Sequence, residues 1–170
     1  MMEALERYLN SFGKSVVNKS KGILKRKKKV VSSELLNSIS YKLQKNTNGF
    51  TVQFFMADYG TFIDKGVSGT NQKRTYVTYE GKREKSPYAY TTKRPPMSVL
   101  DKWIVRRGIA PRDEKGRFVS RKSLQYLIAR KIFTQGIEGI SFFQKPLQLG
   151  MNDFYDQVGN AIKEDIINTI

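Results

Sequence analysis

Apolar residues recur along the first stretch of the chain at Leu5, Leu9, Phe12, Val16 and Ile23, one stripe of a helix whose other faces carry Glu, Lys, Arg and Asn. That spacing predicts a long helix over 3–27. Gly13 and Gly22 fall inside it, and each weakens a helix, so a kink or break is expected near one of them. Ser33-Glu34-Leu35-Leu36 reads as a short helical turn. The period then drops to two. Ile39, Tyr41 and Leu43 alternate with Ser40, Lys42 and Gln44. After the loop 45–49, with its Asn48-Gly49 turn signal, Phe50, Val52, Phe54 and Met56 alternate with Thr51, Gln53, Phe55 and Ala57. A hairpin over 38–57 is expected, with an apolar face for the long helix to cover.

Tyr59, Phe62 and Ile63 stand at i, i+3 and i+4, which is one turn of helix, and Gly66 can end it in the left-handed conformation. Residues 67–95 are polar and rich in Gly, Thr and Lys. So long a stretch without periodicity points to function or disorder, although Thr75–Glu80 can pair as a strand. Arg94-Pro95-Pro96 breaks the chain. Ser98 and Asp101 fit a capping box for a helix through Val99, Leu100, Trp103 and Ile104 that stops near Gly108. Pro111–Gly116 reads as a turn and Arg117-Phe118-Val119 as a short extended piece. Ser120 caps a further helix with Leu124, Leu127, Ile128 and Ile132 as its buried stripe, ended by Gly136 and Gly139. Pro146 opens a C-terminal helix over 146–170 with Met151, Tyr155, Val158, Ile162 and Ile166 inward. The sum is an α+β fold: a small antiparallel β-sheet packed by the long N-terminal helix and the C-terminal helices, with a long extended loop, in a single domain over 1–170.

Composition narrows the chemistry. The 170 residues include 31 Lys and Arg against 15 Asp and Glu, for a net charge of +16, and neither His nor Cys. Disulfides, thiolate nucleophiles, zinc ribbons and imidazole-based triads are therefore excluded. The lack of Cys fits a reducing compartment. No run of about 18 apolar residues occurs, so no membrane helix is expected. The first residues, with Glu3 and Glu6, lack the apolar stretch of a secretory leader. Charge is uneven: residues 1–131 hold 29 basic and 10 acidic side chains, and residues 132–170 hold 2 and 5. The acidic end is either an ordinary solvated face or a complement to the basic body of a neighbouring copy.

Two basic concentrations stand out. One is Lys14, Lys19, Lys21, Lys25, Arg26, Lys27, Lys28 and Lys29, with no acid between Glu6 and Glu34; its run over 25–29 continues past the apolar stripe. The other spans 73–131, with 17 basic and 5 acidic residues among Tyr76, Tyr79, Tyr88, Tyr90, Trp103 and Phe118. Cations attract phosphate and rings can stack on bases, but Trp103 has the spacing of a core residue and Tyr is common at protein interfaces. Lys73, Arg74, Lys82, Arg83, Lys85, Lys93 and Arg94 are the candidate contacts in this second concentration.

The paired acids Asp58/Asp64, Asp113/Glu114 and Glu164/Asp165 read as caps, a solvent-facing turn and a polar helix face, so no catalytic residue, metal site or cofactor is expected. Gly66-Val67-Ser68-Gly69-Thr70 does not match a phosphate-binding loop.

Tyr59-Gly60-x-Phe62-Ile63-Asp64-x-Gly66, placed after a hairpin, resembles the hallmark segment of the tail-completion (neck, head-tail connector or minor tail component) proteins of tailed double-stranded DNA bacteriophages. The order of elements is similar too: an N-terminal helix, a turn over Ser33–Ile39, a hairpin, the Tyr/Phe-Gly motif and a Pro-led helix over 95–107. Ile128-Ala129-Arg130-Lys131-Ile132, Gly136-Ile137 and Phe142-Phe143 resemble the family's C-terminal part. The 67–95 stretch departs from it, being longer and more basic. The resemblance implies a non-enzymatic virion protein, assembled in the bacterial host cytoplasm and away from membranes. It would form a homo-oligomeric ring of 6 or 12 copies between portal or connector and tail, with packaged DNA in its lumen. One basic run would then touch a neighbouring subunit or ring and the other approach the channel. Two rivals are open at this point: a sequence-nonspecific nucleic-acid-binding module of ribosome- or nucleoid-associated type, and a nuclease using Asp58 or Asp64.

Overall fold

The computed structural model describes residues 2–27, 33–47 and 49–169. In chain order its elements are α1 (Glu3–Arg26), α2 (Glu34–Ser38), β1 (Ser40–Asn46), β2 (Gly49–Phe55), α3 (Gly60–Lys65), β3 (Val67–Ser68), β4 (Thr75–Val77), β5 (Arg83–Lys85), α4 (Met97–Arg106), α5 (Arg121–Gln135), β6 (Gly136–Ile137), α6 (Gln144–Met151) and α7 (Phe154–Ile167). The fold is α+β. Its strands pair two by two, as β1–β2, β3–β6 and β4–β5, and the first two pairs are antiparallel. Contacts group the chain into two compact units. One comprises Met1–Gly60, Val77–Arg83 and Ser141–Ile170; the other comprises Thr61–Tyr76 and Glu84–Ile140.

In the first unit the period-two pattern sets the register. Tyr41 faces Phe54 and Leu43 faces Val52 across the β1–β2 ladder, so their rings and branches fall on one side. The stripe of α1 covers that side. Leu5 and Leu9 form a buried cluster with Ala4 and Ala161 of α7, packed round by Tyr8, Leu43, Phe50, Val52, Phe154, Val158 and Ile162. A second ring cluster continues it. Phe12 meets Phe154 edge-on at 4.9 Å between centroids, and Phe54 meets Phe143 at 5.4 Å. Quadrupole attraction favours such edge contacts beyond the area they bury.

Several expectations change here. Helix α1 runs unbroken through Gly13 and Gly22. Gly13 is there for space: the Tyr41 ring lies where a Cβ would stand. The C-terminal helix is two helices, α6 and α7. Tyr155 and Ile166, expected inward, are 76% and 55% exposed; Phe154, Val158, Ala161 and Ile162 make the contact instead. Asp165, read as part of a polar face, is only 7% exposed. It accepts the Ala4 N–H at 2.8 Å and the Leu5 N–H at 3.0 Å. Met2 provides no side-chain cap to α1, so α7 satisfies the orphan amides of a helix 160 residues away in sequence.

The second unit has a smaller apolar centre. Leu100 and Ile104 of α4, Ala129 of α5 and Val67 are its buried hydrophobic residues. Ser98 does not cap α4, which starts at Met97 after Pro96 without a side-chain cap. Asp101 reaches α5 instead, accepting from Gln125 Nε2 at 2.6 Å. Ser120 caps α5 as expected, accepting from the Ser123 N–H at 3.2 Å. Leu127, assigned to the buried stripe, is 54% exposed, because the line that turns inward on α5 passes through Ala129. Trp103 is only half-buried.

Candidate functional site

The family-like motif is built as a single turn of helix. The Gly60 N–H bonds to the Ala57 carbonyl at 2.8 Å as the chain leaves β2, α3 follows, and Gly66 ends it at φ +75°. Tyr59 and Phe62 are partly exposed, whereas Asp64 is 2% exposed. The Phe62 ring packs edge-on against Tyr88 at 4.5 Å.

Beyond Gly66 the chain meets the stretch 134–140, and the two family-like segments Tyr59–Gly66 and Gly136–Ile137 come together. Val67 pairs with Ile137 and Ser68 with Gly136. The Ile140 N–H bonds to the Ile63 carbonyl at 3.1 Å. Four glycines allow it. A Cβ on Gly66 would stand 2.6 Å from Gly139 N, and one on Gly139 2.7 Å from Gly66 N. Gly69 faces the Thr134 carbonyl and Gly136 the Val67 carbonyl at still closer range. Two backbones therefore touch with no room for side chains.

Residues 68–76 and 86–90 of the 67–95 stretch are stitched onto this crossing. Ser68 exchanges backbone bonds with Tyr88 and Tyr90, each 2.8 Å. The Ser86 hydroxyl donates to the Gly66 carbonyl at 2.6 Å. Arg74 Nε donates to the Gln135 carbonyl at 2.9 Å. The Tyr76 hydroxyl donates to Glu84 at 3.2 Å; burial first, then that acceptor and the charges of Glu84 and Asp64, push its pKa above the ordinary 10.0.

The candidate cations divide accordingly. Arg74 is held by the Gln135 carbonyl. Arg94 lies over the Tyr126 ring, 5.3 Å from its centroid, and near Phe133. Lys82 pairs with Glu80 at 2.8 Å on the surface. Lys73, Arg83, Lys85 and Lys93 are exposed, as are Lys25, Arg26 and Lys27 at the end of α1. Lys28 and Lys29 lie outside the described residues.

The paired acids differ in their surroundings. Asp58 is exposed and Asp64 buried. Asp113 organises its own turn, accepting the Lys115 and Arg117 N–H groups and the Arg117 guanidinium. Glu164 binds Arg7 at 2.7 Å. Burial works against the charge of Asp165, but the N–H donors of Leu5, Ala4 and Glu3 outweigh it and hold its pKa below the ordinary 3.8. Among the described residues no group of three His, Cys, Asp or Glu is arranged to hold a metal ion, and no helix is long and apolar enough to cross a membrane. One open hollow in the first unit is lined chiefly by apolar groups, among them Leu5, Leu9, Phe50 and Phe154.

No protein-family model, no curated protein and no solved structure matches this chain.

Cations that the candidate set omitted are Arg106, Arg107, Arg112, Lys115, Arg117, Arg121 and Lys122, all exposed on α4, α5 and their connection. The signal was present in the sequence, since these residues belong to the basic concentration 73–131. What the sequence does not carry is that four of its five acids, Glu80, Glu84, Asp101 and Asp113, are engaged by neighbours.

Proposed function

We propose that this chain is a structural protein of the virion neck of a tailed phage, forming a ring of identical copies between portal or connector and tail, through which packaged DNA passes. The observation that carries the reading is the motif Tyr59–Gly66. It follows a hairpin and forms one helical turn ended by a left-handed Gly66, and the Val67–Ser68 strand directly after it pairs with the second family-like segment, Gly136–Ile137. The order of helix, turn, hairpin, motif and Pro-led helix agrees with the resemblance as well.

The ring works physically. Copies in a closed ring meet through two different patches, and cations at the bore attract phosphate without reading bases. The test is mass spectrometry of purified particles of the source phage, followed by imaging of the neck. The chain is expected in a fixed number of copies at the head–tail joint. Its absence from purified particles would overturn the reading. A second reading, a sequence-nonspecific nucleic-acid-binding module, draws support from the sixteen basic against six acidic residues of the second unit.

A further inference from the structure

We infer that the end of the α4–α5 helix pair, residues 106–122, is a binding surface for the phosphodiester backbone of duplex nucleic acid. The topology gathers its cations. Helix α4 ends at Arg106, the connection runs over 107–120, and α5 starts at Arg121, so seven Lys and Arg side chains share one end of the pair with Asp113 and Glu114 as the acids of that segment. All seven are exposed.

The acids that could neutralise them are largely spent. Asp101 accepts from Gln125 and lies 3.7 Å from Arg121. Asp113 holds the Arg117 guanidinium at 3.0 Å and two backbone N–H groups. Arg106, Lys115 and Lys122 have no ion pair among the described residues. Their charge is therefore turned outward, at +1 each, with only Glu114 beside them unpaired.

The tip is also preordered. Arg112 and Phe118 pair as an antiparallel bridge, the Asp113 N–H bonds to the Arg117 carbonyl at 2.8 Å, and Arg112 donates to the Gly116 carbonyl at 2.8 Å. The Arg112 guanidinium lies 4.0 Å from the Phe118 ring centroid. Phe118, 68% exposed, is thus covered on one face by a cation, so the tip presents ring and guanidinium in place of an apolar socket. A protein partner is usually anchored in such a socket. A uniformly charged polymer needs only cations at the surface, and Arg suits phosphate by its planar donors. This inference goes beyond the neck reading and stands without a ring.

The test is fluorescence anisotropy with a labelled 20-base-pair duplex of mixed sequence, titrated with the full chain between 50 and 200 mM salt. Micromolar binding that falls steeply with salt is expected. The variant Arg106→Gln/Lys115→Gln/Lys122→Gln should weaken binding at least tenfold and reduce the log–log salt slope by about 2–3, near 0.9 per lost phosphate contact. A control with the same charge loss on α1, Lys14→Gln/Lys19→Gln/Lys21→Gln, should change affinity less than twofold, with circular dichroism unchanged in both. Equal weakening by the two triple variants, no duplex binding at 50 mM salt, or tighter binding to polyglutamate than to the duplex would each overturn the proposal. Absence of the chain from virions would end the neck reading and leave this surface standing.

Discussion

In the first unit Leu9, Phe12, Val16, Leu24, Ile39 and Phe142 are all less than a tenth exposed, and edge-on rings join helix, hairpin and C-terminal segments. In the second, burial of that depth is confined to Val67, Leu100, Ile104 and Ala129 among its hydrophobic residues. Its order comes from a backbone crossing at Gly66, Gly69, Gly136 and Gly139 and from the hydrogen bonds that stitch 68–76 and 86–90 onto it. The charge differs as well: fifteen basic against nine acidic residues in the first unit, sixteen against six in the second. An apolar core stabilises by area removed from water and spends side chains to do so. A glycine crossing fixes the path of the chain with few side chains, and leaves cations and rings on the surface.

The contrast is open to direct attack. Phe142→Ala removes a ring that is fully buried and should cost about 3–5 kcal/mol in chemical denaturation; a cost below about 1 kcal/mol would mean the first unit does not depend on its core. Gly66→Ala meets both a positive φ and backbone atoms at 2.6 and 2.7 Å, so about 2–4 kcal/mol should be lost, read from the fluorescence of the single tryptophan, Trp103 of the second unit. Gly116→Ala, at φ +76° with open space around it, should lose about 1–2 kcal/mol from strain alone.

Much of the first unit is legible in the sequence because its signals are local. The 3.6 and 2.0 periods give α1 and the hairpin; at the start of the second unit an isolated helical turn before a glycine gives α3. The reach of Asp165 across the whole chain to the start of α1 has no local signature, so that residue reads as solvated. Gly13, Gly66, Gly136 and Gly139 read as breakers or stops; two of them do end helices, but what each needs is space against a distant segment. Leu127 and Tyr155 mislead because a stripe of apolar residues does not say which of its edges meets the neighbour. The candidate cations could be read from the sequence as a concentration. Which of them remain unpaired depends on where Asp101 and Asp113 point.

Smaller effects sharpen the same contrast. The depressed pKa of Asp165 means that its cap stabilises fully above the ordinary carboxyl range and is lost as pH falls through its folded value. Asp165→Asn should lower the melting temperature at pH 7, and the gap to wild type should close below about pH 4; a gap that stays constant to pH 3 would remove the ionised cap from the account. Gly22→Ala adds a methyl where nothing lies within 4 Å, in a helix interior, and should stabilise by about 0.5–1 kcal/mol.

Hydrogen exchange of the free chain, resolved by peptide, compares the two units most directly. The amides of α1 and of the β1–β2 hairpin should exchange slowest, and those of α4 and the start of α5 distinctly faster, with the 107–120 connection fastest of the three. If α4 exchanged as slowly as α1, the second unit would possess a core of its own strength, and the division into an apolar scaffold and a thinly cored cationic surface would be contradicted.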